Sequence, residues 1–202
     1  MRKQVYISAD YDEDCGDREV VDELNNWGND NYHKVDFIDM SKVASGSVSR
    51  GQDCRICDLK SEFNRQINVS SAVIFVVGDK TATRTAGKGC LRNYQNQLSC
   101  SCTPYKQNRN GLKSCKIPCV VKCGPNDDFG YINSCSYLEH EFRQAVKKGK
   151  KIIIVYNSCK KEPGWLPFYM RGYENIAVPF WKINANWRKV GDYLYIKEKL
   201  GF

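Results

Sequence analysis

Six apolar residues in a row, Ala72–Val77 (AVIFVV), constrain this chain more than any other stretch of it. A strand with one wet face alternates apolar and polar side chains. A run that is apolar throughout must be covered on both sides, as the central strands of parallel sheets are. A second run of this kind, Lys151–Tyr156 (KIIIVY), lies further along. Between and around the two, strand-like and helix-like patterns take turns. Residues 4–8 (QVYIS) form a β-rich run, and 35–38 (VDFI) alternate briefly. Residues 17–27 carry Val20, Val21, Leu24 and Trp27 at helical spacing, and 57–67 carry Leu59, Phe63 and Ile67. A helix over 135–148 has Leu138, Phe142, Ala145 and Val146 as its core stripe. Ser134 or Ser136 suits its N-cap, Lys147 and Lys148 its C-terminal dipole, and Gly149 its end. A short strand at 176–178 and a docking helix over 186–200, with Trp187, Val190, Tyr193, Leu194 and Leu200, complete the series.

The order β-α-β-α-β-insertion-α-β-loop-β-α predicts an α/β fold. Its form is a doubly wound, flavodoxin-like parallel sheet of five strands. Residues 1–202 then make a single domain, interrupted over 86–134 by a Cys-rich basic insertion that has little periodicity. Sheets of this kind place ligands outside the carboxyl ends of their strands. The groups expected there are residues 8–14, the Ser- and Gly-rich loop 41–52 (SKVASGSVSRGQ), residues 78–85 and the 157–169 loop.

With 42% hydrophobic and 12% aromatic residues, the chain can bury a core of its own. No run approaches the roughly 20 apolar residues of a bilayer span. The start, MRKQVYISAD, lacks the long apolar core of a signal peptide and reads as the first strand, so a cytoplasmic protein without membrane attachment is expected. The net charge of +8 is uneven: residues 86–135 hold Lys88, Arg92, Lys106, Arg109, Lys113, Lys116 and Lys122 against Asp127 and Asp128. Such a patch can meet phosphates or nucleic acid, but a loop kept soluble by its charge is the plainer reading, and nucleic acid is not the expected partner.

Eleven cysteines are present, seven of them between residues 90 and 135. Without an export signal, metal binding or free thiols fit better than disulfides. Cys100, Cys102, Cys115, Cys119 and Cys123 are close enough in sequence for four of them to form a structural zinc site. Their spacing is not a clean pair of CxxC knuckles, so disulfides and free thiols stay open.

The inventory of reactive groups excludes several chemistries. His33 and His140 are the two histidines, and neither adjoins a nucleophile elbow. There is no Walker A loop and no GxGxxG, which argues against a P-loop NTPase or a hydride-transfer enzyme. Carboxylates at the strand ends remain.

Tyr137-Leu138-Glu139-His140-Glu141-Phe142, followed by RQAVKKGKKIIIVYN, resembles the aromatic-x-x-x-Glu helix and the strand after it in TIR domains. The usual Trp is Tyr137 here. VYISADYDED resembles the first TIR strand and its loop, and FNRQINVSSAVIFVVGDKT the helix, third strand and Thr-containing turn. The likeness covers roughly residues 4–85 and 134–157, and it extends to the TIR-like ThsB proteins of bacterial Thoeris anti-phage defence. The Cys-rich insertion departs from the usual pattern just before the catalytic helix.

The resemblance implies an enzyme that takes NAD as substrate, releases nicotinamide and makes an ADP-ribose-derived signal, cyclic or conjugated. That diffusible signal would reach a separate, ThsA-like effector. It also implies that Glu141 is the catalytic glutamate and that 41–52, with Ser45, Gly46 and Ser47, is the mobile loop over the substrate. Self-association into a homo-oligomer is a further family habit. The chemistry needs no metal. Nicotinamide leaves NAD as a neutral base, the ribose develops oxocarbenium character, and a carboxylate orients its hydroxyls and stabilises the charge. Ser8, Asp10 and Tyr11 sit where the first strand opens into its loop. Tyr137 lies four residues before Glu141, on the same helical face.

Plainer readings stand beside these. A lone helical glutamate is ordinarily a surface residue, Tyr137 can be simple packing, and Asp10 and Asp12 can be loop carboxylates near a helix start. Glu139 pairs naturally with Arg143 at i, i+4. Two further functions remain: a non-catalytic TIR scaffold, and a phospho-receiver with Asp10 and Asp12 on magnesium, Asp79 as acceptor and Lys182 completing the site.

Overall fold

A computed structural model describes residues 3–10, 17–29, 35–39, 56–84 and 136–201 of the chain. The elements are β1 (Lys3–Ser8), α1 (Asp17–Asn29), β2 (Val35–Asp39), α2 (Ile56–Val69), β3 (Ala72–Val77), α3 (Tyr137–Lys147), β4 (Lys151–Tyr156), β5 (Ala177–Pro179), β6 (Trp181–Ile183), β7 (Lys189–Gly191) and α4 (Tyr193–Leu200). The 41–52 loop and the 86–134 insertion lie outside the described residues, as do Tyr11 and the cysteines assigned to zinc.

The main sheet is parallel, with strand order β2-β1-β3-β4-β5. The α/β class and the parallel sheet flanked by helices agree with the sequence, and the order is compatible with flavodoxin-like winding. All six residues of β3 are buried, which explains its unbroken apolar composition. The pleat divides them. Ala72, Ile74 and Val76 join Val5, Ile7, Ile153 and Val155 under α1 and α4. Val73, Phe75 and Val77 join Tyr6, Ile154 and Tyr156 under α2 and α3. Each helix seals its own face: Val20, Val21, Leu24 and Trp27 from α1, Ile196 and Leu200 from α4, Phe63 and Ile67 from α2, Phe142 and Ala145 from α3.

The ends of α3 follow its sequence. Ser136 is the N-cap, its hydroxyl accepting from the Glu139 N–H at 3.0 Å. Gly149, at φ +59°, turns the chain out of the helix, a left-handed conformation that glycine adopts at little cost.

Two expectations are corrected. Val146 does not belong to the core stripe of α3; it is 45% exposed. The C-terminal helix is also shorter than 186–200. Its first part is an antiparallel hairpin, β6 with β7, turned by Asn184, whose side-chain carbonyl accepts from the N–H groups of Asn186 and Arg188 at 2.9 Å each. Trp187 stands at φ 58° in that turn and is 89% exposed. Val190 and Leu194 are exposed as well, so Tyr193 and Leu200 alone of the five named residues pack on the core.

Candidate active site

Three elements converge at the carboxyl end of the sheet beneath α3. Tyr6 and Ser8 are two residues apart on β1 and therefore share one face. Glu141 projects from α3 onto that face and is 4% exposed. The Tyr6 hydroxyl donates to Glu141 Oε1 at 2.5 Å, and the Ser8 hydroxyl donates to Oε2. Burial drives the Glu141 carboxyl up to about 7, and the Ser8 bond, the Tyr6 bond and the charge of Lys60 pull it back. Glu141 is thus held near the midpoint of ionisation at neutral pH, in an arrangement of two hydroxyl donors aimed at one carboxylate.

The seam between α2 and α3 supports this cluster. The Phe63 ring meets Tyr137 edge-on, with centroids 5.6 Å apart. His140 Nε2 lies 2.9 Å from Asn64 Oδ1, both side chains buried. Lys60, one turn before Asn64, is wholly buried. Sequence reasoning missed Tyr6, Lys60 and Asn64. The period of two on β1 links Tyr6 to Ser8, and the spacing of Lys60 to Phe63, Asn64 and Ile67 puts it on the buried face of α2, so both signals were present.

The expected site residues are placed unevenly. Ser8 and Glu141 are in direct contact. Tyr137 is partly buried and packs on Phe63. Asp10 lies beyond the end of β1, where its carboxylate pairs with Arg84 Nε at 2.5 Å. Tyr11, Ser45 and Gly46 lie outside the described residues. Glu139 pairs with Arg143 on the surface, at 2.6 Å. Lys182 holds Asp192, the N-cap residue of α4, at 2.6 Å, so its ammonium is engaged at the hairpin.

A second buried carboxylate was not expected. Asp17 opens α1 with no exposure, and its Oδ1 accepts from Asn157 Nδ2 at 3.2 Å. Asn157 in turn accepts from Trp181 Nε1 at 2.9 Å. Burial raises the Asp17 carboxyl to about 7; the Asn157 bond lowers it, Asp10 and Asp79 add repulsion, and the Asp10 N–H bond opposes the rise. Gly78, at the end of β3, makes room for it: a Cβ there would stand 2.6 Å from Asp17 Oδ1. An acidic residue in a first helical turn ordinarily signals a dipole contact, and nothing in the local sequence marks this one as buried.

Set against known proteins, the chain matches no family model, and no curated protein matches it.

Proposed function

We propose that the chain is a TIR-like enzyme that cleaves NAD, releasing nicotinamide and forming an ADP-ribose-derived signal, cyclic or conjugated, in anti-phage defence. In this reading the fold is the five-stranded TIR variant of the doubly wound sheet, carrying its Cys-rich insertion ahead of the catalytic helix, and the protein acts in the cytoplasm through a ThsA-like effector. One observation carries the proposal. Glu141 and Ser8, nominated from separate stretches of sequence as parts of one site, meet through a hydrogen bond at the carboxyl rim of a parallel sheet.

The mechanism is electrostatic. A ribose hydroxyl donates to Glu141 Oε2 beside the Ser8 hydroxyl, while Tyr6 keeps Oε1 oriented. As the bond from ribose C1 to the nicotinamide nitrogen breaks, its electron pair goes to the ring and positive charge grows on the sugar. The carboxylate stabilises that charge in a site shielded from water. Water or another nucleophile then adds to C1, and the choice between them decides the product.

Incubation with NAD, with nicotinamide release followed by chromatography and products by mass spectrometry, tests this. Glu141→Gln keeps the shape and removes the charge. Release should fall by about 100-fold or more, with circular dichroism unchanged. Equal release by the two proteins ends the proposal.

A second reading, a non-catalytic TIR-like interaction module, also has support. Both oxygens of Glu141 are occupied by protein hydroxyls, as in a structural pin. Phe168, Trp187 and Leu194 are at least 74% exposed. Self-association in light scattering, with no NAD consumed by the wild-type protein, would favour it.

A further inference from the structure

Tyr6 and Ser8 hold the two oxygens of Glu141 from one strand, and their order along it matters. β1 runs toward the rim, with Tyr6 the earlier residue and Ser8 the last. Their Cα atoms are about 7 Å apart. Tyr6 stands opposite Val73 of β3, and Ser8 opposite Phe75. Tyr6 is wholly buried and shares an apolar cluster with Val73, Phe75 and Ile154. Its hydroxyl takes Glu141 Oε1, whereas the Ser8 hydroxyl takes Oε2. Oε1 therefore faces inward along the strand. Oε2 faces the carboxyl edge, the side on which sheets of this kind bind ligands.

The two oxygens are not equivalent for a ligand. A carboxylate accepts at either oxygen, so an unhindered glutamate can take two neighbouring sugar hydroxyls, one on each. Here a phenol seated in the core covers the inward oxygen. A sugar that comes from the rim meets Oε2 first and finds Oε1 behind it. The carboxyl is also kept from turning, because exchanging its oxygens would break the Tyr6 and Ser8 bonds together. The Tyr6 bond, 2.5 Å long between buried groups, resists that.

We propose that Tyr6 is a positioning residue that makes Glu141 a one-oxygen acceptor, so that the site recognises a single ribose hydroxyl and not the adjacent pair. Tyr6 touches no substrate; it acts through Glu141. The assignment rests on the NAD-cleaving reading and narrows it: a dinucleotide altered at the other hydroxyl is still a substrate.

The test compares NAD with two analogues, one lacking the 2′-hydroxyl and one the 3′-hydroxyl of the nicotinamide ribose. Each value of kcat/KM is divided by the rate of spontaneous nicotinamide release from the same compound, which removes its intrinsic reactivity. With wild-type protein, one analogue should fall roughly 10- to 100-fold below NAD, the worth of a hydrogen bond to a charged group, and the other should stay within about 3-fold. In Tyr6→Phe the carboxyl can turn, and the gap between the analogues should narrow at least about 5-fold. A merely structural role for Tyr6 would lower both analogues alike and keep the gap. Equal dependence on the two hydroxyls in wild type overturns the proposal, and so does an unchanged gap in Tyr6→Phe. Should Tyr6→Phe fail to fold, 4-fluorophenylalanine introduced at position 6 fills the space of the hydroxyl without its donor, and the same gap decides. If wild type releases no nicotinamide, calorimetry with ADP-ribose and its two deoxy analogues at the terminal ribose reads the hydroxyls by binding. Binding through one hydroxyl without cleavage would sink the enzymatic reading and leave the role of Tyr6 standing. Cleavage with both hydroxyls counting equally would do the reverse, and neither cleavage nor binding would sink both.

Discussion

A carboxylate out of water is expensive, and Glu141 is tolerable because two hydroxyls donate to it. Removing one donor therefore tests the site at its smallest scale. In Ser8→Ala the carboxylate loses a bond that favours its charged form, so its midpoint rises further above 7. Nicotinamide release should fall roughly 10-fold at pH 7, the worth of one hydrogen bond to a charged group, and should recover at pH 9. A loss of the same size at both pH values would assign Ser8 to substrate binding instead. Ser8 and Glu141 were legible in the sequence because each lies in a patterned segment, one ending a strand and the other four residues after an aromatic on a helix. Tyr6 and Lys60 were legible as residues on the inner faces of their elements, but not as members of the site. An aromatic in a strand and a lysine in a helix have abundant structural uses, and only the tertiary pairing of β1, α2 and α3 gives them a charge to serve.

Helix α3 carries the site on a ring-lined bed. Phe142, the next residue after Glu141, packs on Phe75 of β3 and on Tyr169 and Tyr173, with centroids 5.3, 5.9 and 5.1 Å away. Phe142→Ala should cost about 3–5 kcal/mol in urea unfolding and lower activity by loosening the same turn; a cost under 1 kcal/mol would mean the bed collapses around the gap. Gly149→Ala probes the far end. No atom lies within 4 Å of the added Cβ, so the penalty is backbone strain alone, about 1 kcal/mol, and NAD cleavage should not change. Elements with two apolar faces or a clean helical stripe could be read before folding. The β6–β7 hairpin could not. Trp187, Val190 and Leu194 recur at intervals that imitate a helix, but the Asn184 side chain satisfies the local N–H groups and ends that possibility.

For the molecule as a whole, two buried carboxyls with raised midpoints tie stability to pH. The folded protein holds protons on Asp17 and Glu141 that the unfolded chain releases near pH 4. Their favourable contribution is complete below about pH 4 and is lost as pH rises through 7. Asp17→Asn abolishes one of these ionisations. Its stability relative to wild type, from urea unfolding, should improve between pH 5 and pH 8 by on the order of 2 kcal/mol. A difference that does not vary with pH would show that Asp17 keeps an ordinary carboxylate midpoint. The chain is also closed on itself at the opposite edge of the sheet. Lys3, at the start of β1, donates its ammonium to the Leu200 carbonyl at the end of α4, 2.6 Å away. Since β1 begins at the amino edge and delivers Ser8 to the carboxyl edge, a fluorescent reporter or purification handle fused beyond either element would emerge on the side remote from Glu141. Immobilising the protein through such a handle would leave the rim that carries Ser8 and Glu141 facing the medium.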